Sequence, residues 1–258
     1  MIAIENLSKH FAGVRAVDNC SFEIEKGKIT GLIGPNGAGK TTLFNTVAGF
    51  YKPTSGRIIL QGEDITGFSP NRLFHRGLVR TFQIPREFSR MTVLENLIVV
   101  PPYQQGENLL VSWFSWRQVH RQERELVIRA EEVLEQLNLS HLRDELAGNL
   151  SGGQKKLLEL GRTMMTPARV VLLDEPAAGV NKTLLAELTN AIQRLNREQN
   201  YTFCIIEHDM DLIEQICDWV VVMAQGQVLM QSTMHEVRSD RAVQEAYLGN
   251  TSFSTESK

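Results

Sequence analysis

The chain changes its hydrophobic pattern several times, and each change predicts a new element. The first thirty or so residues alternate apolar and polar side chains ("IAIENL", "CSFEIEKGKI"), which predicts half-buried antiparallel strands. Short apolar runs follow at "TGLIG", "RVVLLDE" and "YTFCIIEHD", and each is typical of a strand that is buried on both faces. The stretch "WVVVMAQGQVLMQ" has the form of a hairpin with its turn at "AQG".

Helical periodicity separates these strands. The stretch "TTLFNTVAGF" predicts a helix that ends near Gly49. Two longer segments each place apolar side chains on one helical stripe, formed by Leu126, Ala130, Val133, Leu134 and Leu137 in one and by Leu184, Leu188, Ala191, Ile192 and Leu195 in the other. Alternating strands and helices predict an α/β fold with a mainly parallel central sheet and an N-terminal antiparallel β subdomain. We expect one domain over residues 1–250, an inserted helical subdomain at about 85–160, and a disordered polar tail at 251–258.

Composition narrows the classes of protein that fit. The chain has 258 residues, of which 42% are hydrophobic and 22% charged, as in soluble globular proteins. The formal net charge of −3 gives no support for nucleic-acid binding. We find neither an apolar run long enough to span a bilayer nor a secretory signal, so we expect a cytosolic chain. Cys20, Cys204 and Cys217 have no metal-ligand spacing and fit reduced thiols.

A glycine-rich stretch, "GPNGAGKTT" at 34–42, lies between a predicted strand and a predicted helix and fits G-x-x-x-x-G-K-[ST]. Glycines allow backbone N–H groups to converge on phosphate oxygens, and the helix N-terminus faces the same anion. Lys40 would reach the β- and γ-phosphates, and Thr41 would bind Mg²⁺. A connecting turn is the alternative, which the order of strand, loop and helix disfavours. We predict a triphosphate site at Gly34, Asn36, Gly37, Gly39, Lys40, Thr41 and Thr42.

Two acids end the apolar run "VVLLDE", at the edge where α/β proteins place ligand groups. Asp174 would hold Mg²⁺, mostly through water. Glu175 would act as a general base or position the attacking water. Acids in this position alone are more often helix caps, but the glycine-rich loop favours the metal and catalytic interpretation.

A second possible anion site is "LSGGQ" at 150–154, where Ser151, Gly152, Gly153 and Gln154 precede or open a helix. The alternative is a capped helix start and nothing more. A single nucleotide can hardly use two such helix starts within one subunit. We therefore expect the second one to serve the nucleotide of a partner subunit.

Together these motifs resemble those of the ATP-binding subunits of ABC transporters, along nearly the whole chain. The resemblance identifies "GPNGAGKTT" as Walker A, "LSGGQ" as the signature motif and "VVLLDE" as Walker B on a P-loop ATPase fold. It implies a head-to-tail pair with a second ATPase subunit, either the same chain or a related one, with ATP and Mg²⁺ between the two. It further implies that this chain is attached to transmembrane permease subunits at the inner face of the cell membrane and acts, indirectly, with an extracytoplasmic solute-binding protein.

The resemblance also assigns roles to residues outside these motifs. Gln83, in "RTFQIPREF", matches a glutamine that senses Mg²⁺ and couples to the membrane subunit. His208 matches a histidine that contacts the γ-phosphate, and Phe11 an aromatic residue that stacks on adenine. Taken alone, such a glutamine is usually just solvated and such a histidine is most often structural, and a core position is the alternative for Phe11. Asn181 in "AAGVN" stands where many members have an aspartate that contacts the other subunit, which leaves the details of cross-subunit signalling open.

Subgroup features indicate a branch of the family. The stretch "AAGVN", the long insertion after "TVLENLIVV" and the terminal "EAYLG" resemble the importers of branched-chain amino acids. We therefore expect a subunit that powers uptake of branched-chain or other neutral amino acids. The alternatives are the ATPase of a urea importer or an envelope-lipid exporter and, in another class, a soluble ABC ATPase of DNA repair or ribosomes. The single cassette and the lack of sustained heptads disfavour the last.

An aromatic cluster, "LLVSWFSW", lies in the predicted insertion and contains Leu109, Leu110, Val111, Trp113, Phe114 and Trp116. One interpretation is a local core of the helical subdomain. The other is a partner-facing patch, because exposed aromatic clusters mark interfaces.

Overall fold

The structure is a computed structural model that describes residues 1–81, 86–107, 113 and 116–248. The described chain forms two compact units, the first from residues 1–81, 169–177 and 193–248 and the second from the remainder. The strands are β1 (Ile2–Phe11), β2 (Val14–Ile24), β3 (Ile29–Ile33), β4 (Ser55–Leu60), β5 (Glu63–Asp64), β6 (Leu78–Arg80), β7 (Val170–Asp174), β8 (Thr202–Ile206), β9 (Trp219–Ala224) and β10 (Gln227–Ser232).

The described helices are α1 (Lys40–Val47), α2 (Pro70–His75), α3 (Val93–Ile98), α4 (Trp116–Gln136), α5 (Gly152–Met164), α6 (Lys182–Gln199), α7 (Met210–Ile216), α8 (Met234–Ser239) and α9 (Arg241–Leu248). Short 3₁₀ turns occur at Gln105–Glu107, Ser140–Leu142 and Ala147–Asn149. None of these helices is both long and apolar enough to cross a membrane.

The first unit contains an antiparallel sheet in the order β2-β1-β4-β5. Ile2 pairs with Ile24 on one side and with Leu60 on the other, and all three side chains are buried. The alternating pattern of the first thirty residues therefore correctly predicts antiparallel strands.

The same unit contains the central sheet, in the order β10-β9-β3-β8-β7-β6. β3 pairs in parallel with β8 and β9, and β7 in parallel with β6 and β8. Every residue of β3, β7 and β8 is buried, as expected for strands covered on both faces. Because β3, β7 and β8 are parallel, the loops that follow them leave from one edge of the sheet.

The hairpin of β9 and β10 has a two-residue turn rather than the three-residue "AQG". Ala224 still pairs with Gln227, and the turn consists of Gln225 and Gly226. Both turn residues have positive φ, 50° and 82°, as two-residue hairpins of matching twist require. Gly226 donates its N–H to the Ala38 carbonyl at 3.1 Å, so this turn supports the glycine-rich loop.

The second unit is helical. In α4, Ala130, Val133 and Leu134 are buried, as their stripe predicts. Gly161 of α5 allows close packing, since a Cβ there would lie 2.8 Å from a methyl of Leu137.

The aromatic cluster is described only at Trp113 and Trp116, which are 82% and 56% exposed. This exposure contradicts the local-core interpretation for these two side chains. The other cluster residues lie outside the described residues.

Candidate active site

The loop between β3 and α1 follows a path that only glycine permits at two points. Gly34 has φ 147° and Gly39 has φ 97°. A Cβ on Gly34 would lie 2.1 Å from the Met223 carbonyl oxygen, and one on Gly39 would lie 2.2 Å from that of Ala16. The loop backbone is therefore pressed against its surroundings, and side chains are excluded from both positions.

The helix that follows this loop begins with unsatisfied backbone donors. Gly39 is the N-cap of α1, and among the described residues no side chain caps it. The first N–H groups of a helix have no intrahelical partner and carry a partial positive charge. Together with the exposed hydroxyl of Thr41 and the half-buried Thr42, they form a place where an anion can bind.

The Lys40 ammonium folds back onto its own loop. Its Nζ donates to the carbonyl oxygens of Gly34 at 2.8 Å and Pro35 at 3.0 Å, and the residue is 6% exposed. Burial lowers the pKa of Lys40, and the nearby acids Glu175 and Asp174 act in the opposite direction. An amine held this way can exchange weak carbonyl acceptors for charged phosphate oxygens, which are stronger acceptors.

An open cleft of ≈ 380 Å³ lies above this loop. It brings Lys40 together with Glu175 and His208, although the three are far apart in sequence. The cleft is lined by Val14, Arg15, Ala16, Asn36, Gly37, Ala38, Gly39, Lys40, Thr41, Thr42, Glu175, His208, Gln225 and Gly226.

Glu175 and His208 form a pair in this cleft. Oε1 of Glu175 lies 3.2 Å from Nε2 of His208, and the side chains are 23% and 45% exposed. Glu175 has φ 49°, and its backbone N–H donates to the Ile206 carbonyl at 2.9 Å. This hydrogen bond fixes the turn after β7. The Glu175 carboxylate is thus oriented by its backbone bond to Ile206 and by its contact with His208, and it remains accessible to water.

The sequence prediction missed Glu207, which holds the two loops together. Glu207 is 4% exposed. One carboxylate oxygen accepts from the Ala177 N–H at 2.6 Å and the other from the His208 N–H at 3.1 Å. An acid at the end of the apolar run "YTFCII" is the only sequence signal for it.

Asp174 is buried, with its side chain 5% exposed, and pairs with Arg80 at 2.6 Å. The Asp174 carboxylate and the Thr41 hydroxyl are hard oxygen donors. Mg²⁺ is commonly held by one or two such protein groups together with nucleotide phosphates, so this donor set fits the ion. No group of three or more His, Cys, Asp or Glu that suits a metal occurs in the described part of the chain.

Phe11 ends β1, where it pairs with Val14 of the cleft wall, and is 40% exposed. Its ring packs edge-on against Tyr51 at 5.2 Å, and Lys9 Nζ lies 4.9 Å from its centroid. The cleft wall here is formed by Val14 and Arg15, which the sequence prediction did not name. Stacking of Phe11 on adenine stays a prediction.

Ser151 is the N-cap of α5 in a reciprocal capping box with Gln154. The Ser151 oxygen accepts from the Gln154 N–H at 3.4 Å, and the Gln154 side chain accepts from the Ser151 N–H at 2.9 Å. A hydroxyl that accepts one bond still has a proton to donate. Ser151 and Gly152 are exposed, whereas Gly153 is buried, so the first two are accessible to a ligand.

The remaining predicted residues have local roles or are not described. Asn181 caps α6, since its side-chain oxygen accepts from the Leu184 N–H at 3.0 Å. Gln83 lies outside the described residues, as does the tail at 251–258.

Known proteins are similar to this chain over nearly its whole length. The ABC transporter family profile matches residues 17–178. The chain is 42% identical to a probable branched-chain amino acid transport ATP-binding protein LivG of Archaeoglobus fulgidus, covering 96% of this chain and 95% of that protein. It is 41% identical to the high-affinity branched-chain amino acid transport ATP-binding protein BraF of Pseudomonas aeruginosa, covering 96% and 98%.

Solved structures agree with this assignment. A nucleotide-free ATP-binding cassette from an ABC transporter is 40% identical, with a TM-score of 0.82, and the alignment covers 95% of this chain and 98% of that one. An ATP-binding cassette of an ABC transporter in its ADP conformation has the same identity and TM-score, with 96% and 98% covered. The predicted P-loop ATPase fold is therefore confirmed, and the chain belongs to the ABC transporter family.

Proposed function

We propose that this chain is the ATP-hydrolysing subunit of an ABC importer for branched-chain or other neutral amino acids. The observation that carries the ATPase activity is the single cleft that joins Lys40, Glu175 and His208. The substrate class rests on the relatives at 41% and 42% identity, whose names place them in branched-chain amino acid transport.

The residues of the cleft have separate tasks in hydrolysis. Lys40 exchanges its loop carbonyls for β- and γ-phosphate oxygens, while the α1 N-terminus binds the same phosphates. Glu175, held by its hydrogen bond to His208, accepts the proton of the attacking water as the water approaches the γ-phosphate. His208, which lies 3.2 Å from Glu175 in the same cleft, contacts the γ-phosphate in this mechanism. Phe11 is the stacking partner of the base.

A metal ion would balance the negative charge that remains on the phosphates. Thr41, Asp174 and Gln83 would hold Mg²⁺, which offsets the negative charge of the phosphates. The Glu175 side chain is more exposed than that of Asp174, so water can reach the Glu175 carboxylate.

The signature segment, Ser151 to Gln154, serves the ATP of a second ATPase subunit in a head-to-tail pair. Its exposed Ser151 hydroxyl and the N–H of the exposed Gly152 are the donors for that partner's γ-phosphate. The pair is attached to permease subunits on the cytoplasmic face of the membrane, and a solute-binding protein delivers the substrate from outside.

Reconstitution tests this function. The chain is co-purified with its permease partners, placed in proteoliposomes, and assayed for phosphate release and for uptake of radiolabelled leucine and urea. ATP-dependent leucine uptake is the expected result, and Lys40→Ala abolishes it. Lys28→Ala is the matched control, because Lys28 pairs with Asp218 on the surface. Uptake of urea without leucine, or full activity of Lys40→Ala, would contradict the proposal.

A further inference from the structure

Arg80 is a buried cation in the first unit whose role no motif predicts. It ends β6, where it is in register with Leu172 of β7, and its side chain is 6% exposed. Burying a guanidinium is costly unless its donors are paired. The hydrogen-bond partners of Arg80 therefore indicate why a buried cation occupies this position.

The guanidinium lies between two elements of the candidate active site. Its Nη1 donates to the Asn45 side-chain oxygen at 2.6 Å, and its Nη2 donates to Oδ2 of Asp174 at 2.6 Å. The Asn45 amide in turn donates to the Thr41 carbonyl at 2.8 Å. Three hydrogen bonds in series thus link the Thr41 carbonyl in α1, through Asn45 and Arg80, to the Asp174 carboxylate at the end of β7.

This arrangement needs an arginine. The planar guanidinium presents donors in two fixed directions, whereas a lysine ammonium is a single point charge. Because Arg80 occupies Oδ2 of Asp174, the other oxygen, Oδ1, is left for further ligands. The bond to Asn45 ties the position of that carboxylate to the helix that begins at Lys40.

We propose that Arg80 is a positioning residue for Mg²⁺: it orients the Asp174 carboxylate and sets its spacing from Thr41. The proposal rests on the proposed function, in which Asp174 and Thr41 hold the ion. In this role Arg80 acts through Asp174, whose Oδ2 it holds. Partners that orient metal ligands in this way typically contribute about 10- to 100-fold to metal affinity.

The test measures the affinity of the purified chain for a fluorescent ATP analogue in excess EDTA and in excess Mg²⁺. The ratio of the two dissociation constants reports the contribution of the metal. For Arg80→Met we expect the EDTA value to be unchanged and the metal-dependent ratio to fall about 10-fold or more. Arg80→Lys should recover part of the ratio, and Asn45→Ala should lower it less than Arg80→Met does.

Two controls separate positioning from loss of fold. Arg169→Met removes an arginine next to the other end of β7, where its guanidinium donates to the Tyr201 hydroxyl at 3.0 Å, and should leave the ratio unchanged. Melting temperatures are measured for all variants, because a purely structural arginine would lower them without changing the ratio. If Arg80→Met does not fold, Arg80→Lys and Asn45→Ala carry the test.

The outcomes distinguish this inference from the proposed function. If the wild-type ratio is 1, or Asp174→Asn leaves it intact, the assignment of Asp174 to the metal fails. If Asp174→Asn removes the metal dependence and Arg80→Met preserves it, Arg80 is not a positioning residue. Tighter metal-dependent binding in Arg80→Met would mean that the arginine competes with Mg²⁺, and would also overturn the inference.

Discussion

Glu207 shows how one buried side chain organises the residues around it. Each of its two carboxylate oxygens accepts a backbone N–H, one from the segment after Glu175 and one from His208. Both loops therefore depend on an acid that is 4% exposed and that lines no part of the cleft. A neutral side chain of the same size cannot replace it, because an amide has only one acceptor oxygen.

Glu207→Gln should therefore lower kcat for ATP hydrolysis while KM for ATP stays the same, since Glu207 holds the segments at Ala177 and His208, whereas the Lys40 amine is held by the carbonyls of its own loop. The unpaired N–H should also lower the free energy of unfolding by about 1–3 kcal/mol. Steady-state kinetics and urea denaturation measure both quantities. Glu214→Gln is the control, because that exposed acid pairs with Arg238 on the surface. A kcat equal to that of the wild type would contradict the positioning role.

Sequence motifs predict the residues that line the cleft more readily than the buried residues that support them. Lys40 lies in a stretch whose pattern indicates phosphate binding, and the presence of that stretch favours a catalytic role for Glu175. Arg80 and Glu207 matter because β7 lies between β6 and β8, and no sequence spacing shows which strands are neighbours. Gln83 and Phe11 have roles that only the family resemblance suggests.

At the scale of elements, the start of α5 is fixed by how closely it approaches α6 in the second unit. A Cβ on Gly153 would lie 2.6 Å from a methyl of Leu184 and 3.0 Å from its Cβ. The adjacent Gly152 has space, since its nearest neighbour, the Gly179 carbonyl oxygen, is 3.9 Å away. Two successive glycines of one motif thus meet different constraints.

We expect Gly153→Ala to destabilise the chain by about 1–3 kcal/mol through overpacking. Gly152→Ala should be neutral or stabilising by a few tenths of a kcal/mol, because alanine favours a helix where space allows. Leu184→Ala in the Gly153→Ala background should recover part of the loss, which thermal denaturation of the four proteins will show. Equal effects of the two alanines would contradict the packing argument.

Long or strongly patterned elements are the ones that the sequence predicts. The apolar runs of β3, β7 and β8 and the stripe of α4 show their type directly. In contrast, α2 has six residues and β6 has three, each of them less than two periods of its type, so no repeat in the sequence predicts either element. The predicted turn of the β9–β10 hairpin is one residue too long, because Ala224 still pairs with Gln227.

For the whole molecule, burial of three thiols and one phenol makes the free energy of unfolding depend on pH in the alkaline range. Burial raises the pKa of Cys20 from 9.0 to about 11 and that of Tyr247 from 10.0 to about 12. Burial raises the pKa values of Cys204 and Cys217 as well. The folded chain holds these protons more tightly than the unfolded chain. The contribution of these four groups to the free energy of unfolding is therefore complete below pH 9 and is lost as the pH rises above 9.

The free energy of unfolding should therefore fall between pH 9 and 11, by up to about 1.4 kcal/mol per pH unit for each group that titrates. The lowered pKa of Lys40 acts in the opposite direction, but it is one group against four. Urea denaturation at successive pH values measures the slope. A variant with all three cysteines replaced by alanine should have a shallower slope; an unchanged slope would mean that the thiols are not its cause.

The central claim is that this chain completes an ATP site only with a second subunit, through Lys40 of one and Ser151 of the other. In the proposed mechanism Glu175→Gln removes the base and keeps most hydrogen bonding, so we expect ATP to bind and remain uncleaved. Size-exclusion chromatography with light scattering, on the chain alone and on the complex with any partner ATPase, then measures the pairing of the ATPase subunits. We predict an ATP-dependent dimer for Glu175→Gln. We predict nucleotide-bound monomers when Ser151→Arg is added, since the arginine fills the place of the partner's γ-phosphate. If the double variant pairs with ATP as well as Glu175→Gln does, the signature segment does not bind a partner's nucleotide and the account is wrong.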